Sequence, residues 1–201
     1  MAVHTQISKT DVNNFFKNYP IDEIIEFSGI KEGVENSNYL IKTEKNNFIL
    51  TIFENRTNEV DLPFFFRLMN HLKDHEIKCP EVIIDLKGSY YNSIHNKPAA
   101  VTTFLEGRSI IRIEPFHCGE LGKAIALFHN ASSLLDIKRE NKLNTKNLHK
   151  LIQIIDGISD KVDQDELSFI KDEYKFLNEN IPLELPQGII HADLFPDNVF
   201  F

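Results

Sequence analysis

The residues best suited to chemistry lie near the end of the 201-residue chain, in His191-Ala192-Asp193-Leu194-Phe195-Pro196-Asp197-Asn198. An aspartate followed five residues later by an asparagine has the parts that phosphoryl transfer requires. One carboxylate orients and deprotonates an attacking hydroxyl, and one amide oxygen holds a Mg²⁺ ion on the phosphates of a nucleotide. Asp193 suits the first role and Asn198 the second, while His191 is expected to brace the loop and not to react. The flanking runs Gly188-Ile189-Ile190 and Val199-Phe200-Phe201 are apolar and read as strands, so the loop is expected to hang between two of them. The competing reading is a capped turn, in which Asp193 and Asn198 do no more than satisfy backbone amides.

The spacing His-x-Asp-Leu-x-x-x-Asn is that of a kinase catalytic loop, with Ala192 where protein kinases carry arginine. A second feature fits the same chemistry. Between two strand-like runs lies Gly29-Ile30-Lys31-Glu32-Gly33-Val34-Glu35-Asn36-Ser37-Asn38. Such a hairpin can cover nucleotide phosphates, with Gly33 allowing close backbone approach and Asn36, Ser37 and Asn38 supplying donors. It matches neither the glycine pattern of protein kinases nor a Walker motif, and an ordinary polar hairpin has the same composition.

The elements that must position these residues follow from periodicity. Val12, Phe15, Phe16 and Tyr19 fall at helical spacing after the possible caps Ser8 and Thr10, and Pro20 ends the pattern. Ile24–Ile30, Tyr39–Thr43 and Phe48–Phe53 read as strands, the last two joined by the polar turn Glu44-Lys45-Asn46-Asn47. A helix is expected from about Glu59, with Leu62, Phe65, Phe66, Met69 and Leu72 on one face and Pro63 in its first turn. Phe64 is left as the one exposed member of the Phe64-Phe65-Phe66 run. Pro80–Ile84, Tyr90–Ile94 and Ala99–Phe104 complete a sheet of about six strands, with turns at Asp85–Gly88 and His95–Pro98. From Pro115 to Asn180 the period is helical, through Leu121, Ile125 and Phe128, then Leu148, Leu151 and Ile155, then Leu167, Ile170, Tyr174 and Leu177. The expected fold is α+β, two-lobed and protein-kinase-like. Residues 1–104 would form a nucleotide-binding lobe of antiparallel sheet plus helix, 105–107 a hinge, and 108–201 an incomplete helical lobe ending in the catalytic loop.

Composition narrows the partners. Lys and Arg number 22 against 30 Asp and Glu, a net charge of −8, and 42% of residues are apolar. An acidic chain without a basic run argues against nucleic acid or an anionic membrane as the main partner. No stretch of about 18 apolar residues exists, and the start of the chain lacks a basic region followed by an apolar one, so a cytoplasmic location is expected. Cys79 and Cys118 are too far apart in sequence for a CxxC site and are expected to be reduced and partly buried.

The chain resembles the bacterial homoserine kinases of the aminoglycoside-phosphotransferase-like superfamily, a branch of the kinase fold. The resemblance is carried by Met1-Ala2-Val3-His4-Thr5, by Gly33-Val34-Glu35-Asn36-Ser37-Asn38-Tyr39, by Asp61-Leu62-Pro63-Phe64-Phe65, and most specifically by His191 through Phe201. It implies ATP- and Mg²⁺-dependent phosphorylation of the side-chain hydroxyl of L-homoserine, a step of threonine biosynthesis. On this chain it implies Asp193 as catalytic base, Asn198 as Mg²⁺ ligand, and the Gly29–Asn38 loop as phosphate cover. Phe104-Leu105-Glu106-Gly107 would be the hinge that offers main-chain hydrogen bonds to adenine. Thr51 stands where many kinases have a phosphate-binding lysine, so Glu59 and Asp61 are expected to be solvated helix-start carboxylates. Lys42 could substitute only if it faced the cleft. The second metal-binding aspartate of the kinase fold would follow the catalytic loop and has no counterpart before Phe201. The chain is therefore expected to be a fragment of a longer protein, with little or no activity alone.

Other readings keep different features. A related small-molecule kinase would take choline, another amino alcohol or an aminoglycoside, and a degenerate kinase-like protein would turn nothing over. A metallohydrolase using His191 and Asp193 lacks further histidine ligands. His71 and His75, four apart on a helix, are expected on a solvated face. His117 beside Cys118 is expected at a helix start.

Overall fold

In the computed structural model, the described residues are 3–201 apart from 32–34, 55–56, 143, 159–160 and 183. Their contacts group residues 1–137 with 188–201 in one compact unit and residues 138–187 in another.

The first unit is built on an antiparallel sheet of five strands, β1 (Ile24–Gly29), β2 (Ser37–Thr43), β3 (Asn47–Ile52), β4 (Asn92–Ile94) and β5 (Lys97–Thr103), in the order β1-β2-β3-β5-β4. The two central registers pair Tyr39 with Leu50 and Leu50 with Val101. Strand alternation divides the side chains into two faces. Tyr39, Ile41, Phe48, Leu50, Ile52, Ala99 and Val101 form one buried core with Val12, Phe15, Phe16 and Tyr19 of α1 (Lys9–Phe16) and the residues after it. The opposite face carries Asn38, Leu40, Ile49 and Thr51, all half-buried, and Ala100, which packs against Leu62 and Phe66 of α2 (Leu62–Asp74).

Local chemistry explains the ends of these elements. Ser8 caps α1 reciprocally: the Asp11 N–H donates to Ser8 Oγ at 3.2 Å and the Ser8 N–H to the Asp11 carboxylate at 2.8 Å. A 3₁₀ turn at Glu59–Asp61, capped by Asn58, leads into α2, and Pro63 sits in its first turn. Buried Asp85 clamps the turn that follows by accepting the N–H groups of Lys87 and Ser89 and the Asn92 side-chain amide. The Ser89 backbone hydrogen bond, with those of Asn92 and Lys87, holds its carboxyl below the ordinary value.

Several expectations are corrected. The sheet has five strands and not six: Pro80–Ile84 is no named strand, although Glu81–Ile83 runs along the edge of β5 beyond β4. Only one bridge forms there, Val82 with Thr102. The expected turn at His95–Pro98 shrinks to His95 and Asn96, both left-handed at φ 50° and 61°, which is the geometry of a two-residue hairpin; Lys97 and Pro98 already belong to β5. Gly188–Ile190 and Val199–Phe201 are not strands, because no ladder neighbours lie beside them; a single bridge joins Phe200 to Ser109. Phe64 and Phe65 are both half-buried and meet edge to face, so neither is the one exposed ring. Cys118 is exposed and not partly buried, although it shares the face of α3 (Pro115–Ser132) that carries the half-buried stripe of Leu121, Ile125 and Phe128, which is as expected. His71 is not a solvated residue: its Nε2 lies 2.8 Å from the Ala131 carbonyl and ties α2 to α3.

The second unit pairs α4 (Thr145–Asp156) with α5 (Gln164–Asn180). Its apolar phase runs through Leu148, Ile152 and Ile155, with Leu151 exposed, since i, i+4, i+7 spacing from Leu148 reaches Ile152. Among the described residues, no helix is long and apolar enough to cross a membrane.

The N-terminal segment is fastened to the sheet by one polar cluster. Glu54, its side chain only 10% exposed, pairs with Lys97 and accepts the Thr5 hydroxyl at 2.6 Å and the Ser37 hydroxyl at 2.7 Å. Burial alone would raise the Glu54 carboxyl, but hydrogen bonds from Lys97, Thr5 and Ser37 outweigh it and hold the pKa at about 2. A depressed carboxylate stabilises the fold fully above its ordinary value of 4.5, and that contribution is lost as pH falls toward 2. The thermal midpoint of the protein is therefore expected to exceed that of Glu54→Gln by a constant margin above pH 5. The margin should shrink between about pH 4.5 and 2, and a margin independent of pH in that window would refute the assignment.

Candidate active site

The loop expected to carry chemistry is shaped by backbone before side chains. Ala192 adopts φ 64°, an uncommon conformation for a residue with a Cβ, and it turns the chain immediately before Asp193. Pro196–Asn198 then forms a 3₁₀ turn closed by the Asn198 N–H on the Phe195 carbonyl at 2.9 Å. This turn folds Asn198 back onto Asp193. The Asn198 Nδ2 donates at 2.9 Å to the Asp193 carbonyl and at 2.9 Å to Asp193 Oδ2. The two residues singled out by spacing are thus brought into contact, both exposed. His191 is exposed as well, and its ring makes no hydrogen bond to another described residue.

The far end of the loop is fastened to the segment after β5. Arg108 and Phe201 exchange both backbone hydrogen bonds, at 3.2 and 3.1 Å, and Ser109 bridges Phe200. Gly107 makes this approach possible: at φ 149°, a Cβ there would lie 3.1 Å from that of Phe200. Phe104 and Glu106 border an open pocket together with the β2–β3 turn, and the Phe104 N–H donates to the Asn47 carbonyl at 3.2 Å. That amide is occupied within the sheet, which leaves the carbonyls and the later amides of the segment for a ligand. Beside the loop, an apolar recess of about 90 Å³ is lined by Ile113, His117, Leu121, Leu194, Val199 and Phe201.

The residue 29–38 hairpin is only partly described, and Gly33 lies outside the described residues. Asn36 accepts the Glu54 N–H at 3.2 Å, and Asn38 accepts the Thr51 hydroxyl at 2.8 Å. Ser37 departs from the role expected of it. It is wholly buried, accepts the N–H groups of His4 and Thr5 at 2.8 and 2.9 Å, and donates to Glu54, so its hydroxyl has no capacity left for a phosphate. Lys42 pairs with Glu26 at 2.9 Å, and Tyr91 engages Glu59.

Among the described residues no group of three or more His, Cys, Asp and Glu could hold a metal by itself. Asn198 nevertheless fits a Mg²⁺ ligand: the residue is exposed, its Nδ2 is committed to Asp193 so that Oδ1 is the atom left to ligate, and Mg²⁺ takes most of its shell from water and phosphate oxygens.

Sequence reasoning missed Thr5, Glu54 and Lys97 as partners of the hairpin, since they are spread over more than ninety residues. One signal was present: Ser37 shares the inward phase of Tyr39 and Ile41.

An antiparallel sheet flanked by helices, with an Asp–Asn loop fastened beside its last strand, defines an α+β, kinase-like phosphotransferase fold. The chain belongs to the APH phosphotransferase enzyme family, which it matches over residues 26–201. It is 41% identical over all 201 residues to the homoserine kinase of Brucella anthropi and 40% identical to that of Brucella ovis, and it spans 62% of the length of each. Its fold is similar to that of the spectinomycin phosphotransferase APH(9)-Ia, solved with ADP and spectinomycin, at TM-score 0.65 and 14% identity over 98% of this chain and 66% of that one. It is also similar to APH(2")-IIia, solved with GDP and kanamycin, at TM-score 0.72 and 13% identity over 96% of this chain and 67% of that one.

Gly107→Ala is expected to destabilise the protein by about 1–3 kcal/mol by loosening the Arg108–Phe201 pairing. Thermal denaturation checks this, and an unchanged midpoint would show that the close approach of Phe200 does not constrain residue 107.

Proposed function

We propose that this chain carries the base-bearing and nucleotide-binding parts of a kinase that transfers the γ-phosphoryl group of ATP to the side-chain hydroxyl of L-homoserine. The product would be O-phospho-L-homoserine. The observation that carries this reading is the 41% identity with a homoserine kinase along the whole chain, including the loop in which Asp193 and Asn198 meet.

Asn198 holds Asp193 Oδ2, which leaves Oδ1 to accept the proton of the acceptor hydroxyl as its oxygen bonds to the γ-phosphorus and the bond to ADP breaks. Mg²⁺, when bound through Asn198 Oδ1, neutralises charge on the phosphates. Asn36 and Asn38 are proposed as phosphate contacts together with Gly33. The 104–107 segment, with Phe104 and Glu106, is proposed as the adenine hinge between the two lobes. His191 is retained as a support of the loop when substrates are bound.

The test is ADP formation by the full-length protein with L-homoserine, choline and an aminoglycoside as alternative acceptors. L-homoserine is expected to give by far the highest kcat/KM, and Asp193→Ala to lower kcat by roughly 10²–10⁴-fold. Equal rates with choline would transfer the assignment to another acceptor. Undiminished turnover in Asp193→Ala would remove Asp193 as the base.

A further inference from the structure

Glu54 is the hub of the cluster that fastens the N-terminal segment, and it also touches the first two residues of the Asn36-Ser37-Asn38 stretch. Its backbone N–H donates to Asn36 Oδ1, and its Oε1 accepts from Ser37. Ser37 is pulled inward from the other side by the N–H groups of His4 and Thr5, and Lys97 completes the cluster by pairing with Glu54 and donating to the Thr5 hydroxyl at 2.8 Å. Tyr39, two residues on and on the same face, donates to the Thr5 carbonyl at 2.7 Å. A strand whose residue 37 is locked inward must turn residue 38 to the opposite face, since successive side chains alternate. There Asn38 meets Thr51, and with Oδ1 occupied it presents its NH₂ end. Asn36, its own Oδ1 taken by Glu54 and by Thr57 at 3.4 Å, also has its NH₂ left to donate. Both amides are thereby set with the polarity that an anionic phosphate requires.

We propose that Ser37, held by Glu54, Thr5 and Lys97, is a positioning residue that aims the amide groups of Asn36 and Asn38 at the phosphates of the nucleotide. The N-terminal segment then serves the nucleotide site without touching the ligand. This inference rests on the reading of Asn36 and Asn38 as phosphate contacts.

The experiment is steady-state kinetics of the full-length protein with MgATP and L-homoserine varied in turn, for Ser37→Ala, Glu54→Gln, Asn36→Ala, Asn38→Ala and Asp85→Ala. Asp85→Ala is the control for lost stability, since it opens a buried turn remote from the cluster. Ser37→Ala is expected to raise KM for ATP about tenfold, with KM for L-homoserine unchanged and with no such rise in Asp85→Ala. Glu54→Gln, which keeps the shape and loses the charge, should raise it by a smaller factor, and it serves as the test if Ser37→Ala does not fold. In an Asn36→Ala, Asn38→Ala background the Ser37→Ala effect on KM for ATP should disappear, because the groups being aimed are gone. If the asparagine variants raise KM for ATP and neither Ser37→Ala nor Glu54→Gln does, the positioning role is wrong and the nucleotide reading stands. If neither asparagine variant changes KM for ATP, the nucleotide reading fails and the inference fails with it.

Discussion

A carboxylate withdrawn from water must find donors for its oxygens or give up its charge, and at Glu54 that constraint organises half of the first unit. Its donors come from Thr5, Ser37 and Lys97, three stretches of chain that share no secondary-structure element. Satisfying one side chain thus brings together the N-terminal segment, the entry to β2 and the start of β5. The packing around it follows: with the segment docked, Val3 lies against Gly29, where a Cβ would come within 2.9 Å of it. Tyr39 then reaches the Thr5 carbonyl from within the core beneath α1.

The Asp193–Asn198 loop is organised by different means. No buried charge holds it; a left-handed alanine sets its direction, a short 3₁₀ turn returns Asn198 to Asp193, and two backbone hydrogen bonds tie its end to Arg108. Backbone geometry defines the relation between Asp193 and Asn198 within the loop itself. The loop is also fastened to the segment that follows the last strand, which places Asp193 and Asn198 in the same compact unit as the five-stranded sheet.

Much of this was legible in the sequence, and the reasons are specific. The helical spacing of Val12, Phe15 and Phe16, the alternation in β2 and β3, and the stripe of α2 report burial directly, so those elements lie where periodicity places them. Asp193 and Asn198 were singled out by their spacing, and because both belong to one short loop the fold brings them into contact. What failed was reading apolar runs as strands: Gly188–Ile190 and Pro80–Ile84 have the composition of strands, but a strand exists only where a neighbour offers a complete ladder, and no local pattern reports that. Ser37 was read as a ligand donor because serine in a polar hairpin is ambiguous. Only the location of Thr5 and Glu54 in space decides which way its hydroxyl points.

The long reach of the Glu54 cluster bears on how the chain assembles. Thr5 and Lys97 are 92 residues apart, and Ser37 and Glu54 lie between them. The stretch that carries Thr5 therefore has no complete docking site until β5 is in place, whereas the β1–β2–β3 meander forms from nearer neighbours. Docking of that stretch is thus a late, long-range step that secures a sheet already assembled from nearer pairings.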